Sequence, residues 1–467
     1  MIKKYDAIVI GMGPAGMAVS AMGAAIGLDI LAVEKHKVGG ECLNIGCIPS
    51  KALLKAGEVN YVAKHLKKYG IDSTVETIPN EPLKIVREKV DAINNKKFLK
   101  TFEKVTLIKG NAEFVDNKTI LVDGINYTAK KIFIGTGTEP FVPPIPGLKD
   151  VRKLTNVNMF NQKSVPKRLT IIGGGAIGTE MAQAFGRLGS EIVLVQMDGH
   201  LIPAGDEEAG RVLEEQFKKE GIKVFNSTGI SKVEEKNGVI YTHTDKGIFE
   251  SDEVLVATGR KPVLEPLKLE NAGIKYGKKG IETNSHLQTN YKHIYAIGDC
   301  NGRALLSHAA MHQGMLALMN AINPLPIFKK SVDKYIVPWA VFTKPEVAQA
   351  GISEKEAKEK GMKYEVIKKD YKAYGRTVAD GKPEGFIKII LSPTGKIYGA
   401  TIVGEAASEI IHEWIIAIQK KMRITDILMT QHAFPTIAML NKMIAEDWMM
   451  EKTKQYGIIS KIAKMFI

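Results

Sequence analysis

The sequence predicts an α/β fold with two Rossmann-like dinucleotide-binding domains and a C-terminal α+β domain, and three observations lead there. A Gly-rich turn stands between an apparent strand and helix near the N-terminus, the same arrangement returns in mid-chain, and from Val337 onward strands and helices alternate differently. At 467 residues the chain has room for about three domains.

The first unit opens with a short apolar strand over 5–10, followed by the turn Gly11-Met12-Gly13-Pro14-Ala15-Gly16 and a small-residue helix over 17–26. In a GxGxxG turn the first glycines allow a tight bend and close approach to a pyrophosphate. The last lets helix and strand pack, and the helix N-terminus attracts the anion. A second strand over 28–33 ends in Glu34, 23 residues beyond Gly11. A carboxylate there can accept hydrogen bonds from ribose hydroxyls. Basic Lys3 and Lys4 before an uncharged stretch, 7–28, also suit a signal peptide or membrane span. Five glycines in that stretch argue against both.

Two of the three cysteines follow at once, in Gly39-Gly40-Glu41-Cys42-Leu43-Asn44-Ile45-Gly46-Cys47-Ile48-Pro49-Ser50-Lys51. On a regular helix, residues five apart are separated by about 7.5 Å of rise. A disulfide wants Cα atoms within roughly 7 Å, so a redox pair here requires a distorted segment, which Gly46 and Pro49 permit.

The second unit has a strand over 168–172, the turn Gly173-Gly174-Gly175-Ala176-Ile177-Gly178, a helix over 179–188 and a strand over 191–195. At the offset of Glu34 stands Gln196, which can hydrogen-bond a ribose without repelling a 2′-phosphate; Asp198 opposes one. The turn therefore does not decide between NADH and NADPH. Strands ending in Gly135-Thr136-Gly137 and Thr258-Gly259-Arg260 look like domain crossings, and Pro140, Pro143, Pro144, Pro146 and Gly147 read as a linker. A strand over 294–297 ends in Gly298-Asp299. The uncharged helix expected over 304–322 is too polar at Ser307, His308, His312 and Gln313 for a membrane span.

Composition is that of an ordinary globular protein, 45% hydrophobic and 25% charged. Three cysteines in so long a chain do not make a secreted disulfide framework. The close pair points to catalysis or metal binding in a reducing compartment, here the cytoplasm. The net charge of +14 favours anionic cofactors or surfaces. The lysines are dispersed and no helix-turn-helix, zinc-finger or RNA-binding motif accompanies them, so no nucleic-acid partner is expected.

Taken together these residues resemble the two-dinucleotide flavoprotein disulfide reductases, a family that includes dihydrolipoamide dehydrogenase, glutathione reductase and mercuric reductase. The likeness runs essentially full length. The 42–51 run is most similar to the dihydrolipoamide dehydrogenase version, and Ile297-Gly298-Asp299 and Phe342-Thr343-Lys344-Pro345-Glu346 resemble the flavin and interface-domain signatures.

The resemblance implies an FAD-binding domain in two parts, 1–147 and 266–335, an NAD(P)H-binding domain over 148–265 and an interface domain over 336–467. FAD would be held by Gly11, Gly13, Gly16, Glu34, Gly40, Thr136, Gly137 and Asp299, and NAD(P)H by Gly173, Gly175, Gly178, Gln196 and Gly259. Electrons would pass to a Cys42–Cys47 disulfide, Cys47 lying against the flavin and Cys42 attacking the substrate. Lys51 and Glu180 match an ion pair beside the flavin, and a homodimer would complete each site.

One departure stands out. Family members that act on disulfides carry a His before a Pro near the C-terminus and a Glu a few residues later, to shuttle protons to and from the thiols. In Gln431-His432-Ala433-Phe434-Pro435-Thr436-Ile437-Ala438-Met439, Phe434 and Met439 take those places. His432, two positions away, is a poor substitute because a proton shuttle must come within hydrogen-bond reach of the thiol. Phe before this Pro looks more like mercuric reductases, but their C-terminal cysteine pair is missing, since no Cys follows Cys300.

The leading expectation is thus a dihydrolipoamide dehydrogenase-type enzyme with altered acceptor chemistry, the small-molecule acceptor being a disulfide, a quinone or a metal ion. An NAD(P)H:quinone or metal-ion reductase on the same scaffold is the alternative, and a largely non-catalytic flavoprotein subunit a third. Peripheral membrane contact is suggested by the tail, 452–467, where Ile458, Ile459, Ile462, Met465 and Phe466 recur at helical spacing beside Lys461 and Lys464. Packing on the protein itself is the competing reading. Methionines clustered in the last fifty residues suit soft-metal contact or, more simply, adaptable packing.

Overall fold

A computed structural model describes residues 3–72, 79–93 and 96–456. The chain divides into two units. One comprises Met1–Gly173, Ala184–Val193 and Ile230–Tyr335; the other comprises Gly174–Gln183, Leu194–Gly229 and Ile336–Ile467.

In the first unit the apolar N-terminal run forms β1 (Lys3–Ile10), then α1 (Pro14–Ala25) and β2 (Ile30–Glu34). The helix begins earlier than the sequence pattern predicts because Pro14, with its fixed φ and missing N–H, is suited to a first helical turn. Next come α2 (Gly40–Ile45) and α3 (Cys47–Lys64), then β3 (Thr106–Lys109), β4 (Ala112–Phe114), β5 (Thr119–Val122) and β6 (Ile125–Ile134). The sheet order is β3-β2-β1-β6-β5-β4, parallel from β3 to β6 and antiparallel beyond.

β1 lies between β2 and β6, and its side chains alternate between two buried cores, Ala7 and Val9 in one and Ile8 in the other, so both faces are covered. That is why the strand reads as a continuous apolar run. The carboxyl ends are stepped together: the Gly11 amide donates to Val33 O and the Gly135 amide to Ile10 O, both at 2.8 Å. In sheets of this kind ligands bind beyond those ends.

β7 (Arg168–Ile172) leads into α4 (Ala176–Arg187), and β8 (Glu253–Val256) pairs parallel with β7. β9 (Ile294–Ala296) then returns to the first sheet, parallel to β6, where Tyr295 stacks on Phe133 with ring centroids 5.1 Å apart. The helix expected from residue 304 starts at Ser307, as α5 (Ser307–Ile322). It crosses α1 at close range: a Cβ on Gly314 would lie 2.3 Å from Ala15 O.

In the second unit a five-stranded antiparallel sheet has the order β10-β11-β14-β13-β12, with β10 (Trp339–Val341), β11 (Glu346–Gly351), β12 (Glu365–Asp370), β13 (Phe386–Leu391) and β14 (Ile397–Gly404). α6 (Ala407–Gln419) and α7 (Met439–Tyr456) share its core through Trp414, Leu440 and Ile444. Met422, Met439, Met443 and Met449 pack against that core, as adaptable apolar side chains do.

The tail positions 458, 459, 461, 462 and 464–466 lie outside the described residues. Lys452, at the start of the tail, is buried in α7, with Nζ 2.5 Å from Glu365 Oε1. No described helix is long and apolar enough to cross a membrane.

Candidate functional site

The distortion that a redox pair requires is a break between two helices. α2 ends at Ile45, Gly46 adopts φ −130° and ψ −106°, and Cys47 is the first residue of α3. A Cβ on Gly46 would lie 2.9 Å from Glu41 O and 3.3 Å from Cys42 Cα, so a side chain cannot be placed there without moving backbone. Pro49 falls in the first turn of α3, where its missing N–H costs no helical bond. Cys42 and Cys47 are half-buried, unbridged thiols that influence each other's ionisation.

The two sulfurs differ electrically. The Cys42 thiol is pushed well above the ordinary cysteine range, first by its hydrogen bond to Cys47, then by burial and by the charge on Cys47. Ser307 and Lys51 act in the opposite direction. Cys47 sits at the positive end of the 18-residue α3. Ser307 Oγ lies 3.2 Å from Cys47 Sγ. Lys51 follows Cys47 by four residues, on the same helix face. The third cysteine is inert: Cys300 is fully buried and its thiol is pushed up to about 12 by that burial.

The first Gly-rich turn forms a cradle. Gly11 has φ +94°, and a Cβ on it would stand 2.4 Å from Gly135 O; one on Gly16 would stand 1.9 Å from Gly11 O. Gly13 faces open space, with no atom within 4 Å of a Cβ, and Gly40 presses its backbone against it, a Cβ there lying 2.8 Å from Gly13 Cα. Gly13 is also the N-cap of α1 and supplies no side-chain cap, leaving first-turn amides for an anion. Gly137, at φ +70°, likewise faces open space, while Thr136 Oγ1 donates to Val263 O at 3.0 Å. This cradle fits the pyrophosphate of a dinucleotide such as FAD.

Glu34 does more than the sequence reading gave it. Its Oε2 accepts from the Met12 amide and its Oε1 from the His36 amide, both at 2.7 Å, so it braces the turn; each oxygen retains a lone pair for a ribose. Gln196 repeats the device: Oε1 accepts from the Gly174 amide at 2.8 Å, and Nε2 donates to Asp198 Oδ2 at 2.8 Å. In the same turn Gly173 has φ +107°, Gly175 has no atom within 4 Å of a Cβ, and Gly178 is buried within α4. Gly259, at φ +118°, is open as well.

Asp299 ends β9. Its carboxyl is pushed above the usual carboxylate range by burial, and Oδ2 accepts from Thr138 Oγ1 at 3.1 Å. Thr138 Oγ1 in turn accepts from Arg260 Nε at 2.7 Å, and the Arg260 guanidinium pairs with Glu41, the neighbour of Cys42. Sequence reasoning missed Arg260. Its only signal was a cation directly after the Thr258-Gly259 crossing.

In the second unit, Glu180 is buried and its Oε1 accepts from the Phe342 amide at 3.0 Å. His432 has its side chain 7% exposed. Its ring nitrogens face Thr430 O at 3.1 Å and Glu413 Oε1 at 3.0 Å, and Asn441 Nδ2 holds the other Glu413 oxygen at 2.7 Å. The imidazole is thus a packing element of this unit. Phe434 is 76% exposed. No cluster of three or more His, Cys, Asp or Glu side chains suited to a metal ion occurs among the described residues.

A family profile described as pyridine nucleotide-disulphide oxidoreductase matches residues 5–314, and the dimerisation domain of the same family matches residues 337–444. The chain belongs to the pyridine nucleotide-disulphide oxidoreductases. Relatives of this oxidoreductase include a dihydrolipoyl dehydrogenase of Thermus scotoductus, 37% identical over 94% of this chain and 96% of that protein. A mercuric reductase of Staphylococcus aureus is 35% identical over 91% of this chain and 78% of that protein. The HOCl-induced flavoprotein disulfide reductase RclA of Escherichia coli, solved as a Cu(II) complex, shares the fold. Its TM-score is 0.86 at 24% identity, over 95% of this chain and 99% of that one. Members of the family are FAD-dependent NAD(P)H oxidoreductases, and the dimerisation domain supports a homodimer.

Proposed function

We propose that this oxidoreductase carries electrons from NAD(P)H to the Cys42–Cys47 pair and on to an acceptor that takes no proton from a side chain, a metal ion or quinone in preference to a disulfide. The observation that carries the reading is the combination of two adjoining thiols across the Gly46 break with an exposed Phe434 and a His432 occupied by Glu413 and Thr430.

FAD supplies the two-electron carrier between nicotinamide and sulfur. The residues that would hold it are Gly11, Gly13, Gly16, Glu34, Gly40, Thr136, Gly137 and Asp299; Gly173, Gly175, Gly178, Gln196 and Gly259 would hold the nicotinamide nucleotide. This corresponds to FAD-binding segments 1–147 and 266–335, a nicotinamide domain over 148–265 and an interface domain over 336–467. Lys51 and Glu180 are assigned to the ion pair beside the flavin, and the cytoplasm is the proposed compartment.

Oxidation of the dithiol forms one S–S bond and releases two electrons and two protons. A disulfide acceptor must receive both protons at its own sulfurs, and positioned acid–base help with such transfers is worth about 10² to 10⁴ in rate. A metal ion takes the electrons alone and leaves the protons to water, and a quinone becomes a quinol by taking two protons from water, so Phe434 carries no penalty with either. The likeness to mercuric reductases at an identity similar to that of the dihydrolipoyl dehydrogenases supports a metal ion among the acceptors.

The test is an anaerobic titration with NADH and NADPH followed by a panel of lipoamide, quinones, mercuric ion and dioxygen. Turnover with lipoamide should fall about a hundredfold or more below that of the best acceptor. Efficient lipoamide turnover overturns the acceptor assignment.

A further inference from the structure

Ser307 lies 260 positions from Cys47 in sequence, yet the fold sets its hydroxyl 3.2 Å from the Cys47 sulfur. The same hydroxyl also opposes the upward push on the Cys42 thiol, so a group from outside the 42–51 segment acts on both cysteines. Ser307 is the first residue of α5, sixteen residues long and preceded by Leu306, whose side chain caps nothing. Cys47 is the first residue of α3. Two helix N-termini and a hydroxyl thus meet at one sulfur, with Lys51 one turn further along. Each favours negative charge there.

The resemblance leads one to expect an imidazole in the sequence position that Phe434 occupies. A donor supplied by the FAD-binding unit itself would do part of the work of a missing cation. It would hold the anionic sulfur without offering an acceptor a proton that a serine is too weak an acid to release.

Resting on the electron route proposed above, we propose that Ser307 is a further residue of the reaction: its O–H donates to the Cys47 sulfur and holds it as the thiolate. A hydrogen bond to a charged partner is strong enough to shift the ionisation of that sulfur by about tenfold. Threonine retains the donor and alanine removes it.

The experiment compares FAD-replete wild type, Ser307→Ala, Ser307→Thr and Cys47→Ser after anaerobic two-electron reduction, reading the long-wavelength thiolate-to-flavin absorbance. In parallel, the reduced apoproteins are alkylated with iodoacetamide at neutral pH and the modified sulfur is located by mass spectrometry. In Ser307→Ala the absorbance should drop below half with FAD content unchanged, and Cys47 should alkylate about tenfold more slowly. Ser307→Thr should match wild type in both.

If Ser307→Ala keeps the full absorbance and the wild-type alkylation rate, the Ser307 proposal is overturned while the electron route stands. Equal losses in Ser307→Ala and Ser307→Thr would overturn it too, by assigning the effect to packing. A wild-type absorbance that survives Cys47→Ser, or no such absorbance, overturns the electron route and this inference with it.

Discussion

Gly46→Ala perturbs the site at a single point whose geometry is known. The new methyl group would lie 2.9 Å from Glu41 O and 3.3 Å from both Cys42 Cα and Glu41 C. All three are backbone atoms, so no rotamer change relieves the contact. The end of α2 must instead move from the start of α3 by several tenths of an ångström, taking Cys42 with it. Two free thiols tolerate that shift, whereas a disulfide has a narrow geometric window. Overpacking of this kind costs about 1–3 kcal/mol, and the part that the freer dithiol relaxes away falls on the oxidised form alone. At about 30 mV per 1.4 kcal/mol for a two-electron couple, the Cys42–Cys47 potential should rise by up to roughly 60 mV. The assay is equilibration of the apoprotein in graded thiol–disulfide buffers, with the Cys42 and Cys47 thiols counted after acid quench. An unchanged potential in a variant that melts like wild type would refute the claim that Gly46 sets the spacing of the sulfurs.

Three further predictions concern the proton shuttle, the second turn and the buried acid. Phe434→His with Met439→Glu should raise lipoamide-dependent turnover by about tenfold or more, a small part of what acid–base catalysis supplies; steady-state rates with unchanged FAD content check it. Gln196→Ala removes the brace on the Gly174 amide, so nicotinamide affinity should weaken by about five- to a hundredfold at constant FAD content, read by equilibrium binding. Burial raises the Asp299 pKa above that in the unfolded chain, so its protonated form is the one that favours folding. That contribution is full below the unfolded pKa and is lost as pH rises through the folded one. Apoprotein Asp299→Asn should therefore gain thermal stability over wild type at neutral pH and lose that advantage near pH 4, while its FAD affinity falls.

The strands, the two Gly-rich turns and the break at Gly46 were legible in the sequence because each rests on local chemistry. A buried parallel strand must be apolar, a tight turn must lack Cβ atoms, and two cysteines five apart cannot bond along an intact helix. The bracing roles of Glu34 and Gln196 were not legible. A carboxylate aimed at a ribose and one aimed at its own turn occupy the same position in sequence, and only the fold distinguishes them. Ser307 and Arg260 were invisible for a related reason, since their partners, Cys47 and Glu41, are brought in by tertiary packing. For His432 the sequence argument made it a poor shuttle by position, and in the structure its ring nitrogens face Glu413 and Thr430.

The most direct measurement is the anaerobic titration of the FAD-replete dimer with one equivalent of NADH per flavin, followed across the visible spectrum. The proposed route predicts a long-wavelength absorbance at the two-electron stage in wild type, its loss in Cys47→Ser and, in Cys42→Ser, where no disulfide can form and Cys47 is a free thiol from the start, its presence before any reductant is added. Bleaching of the flavin with no such absorbance at any stage, or its persistence in Cys47→Ser, would contradict the assignment of Cys47 as the sulfur that meets the flavin.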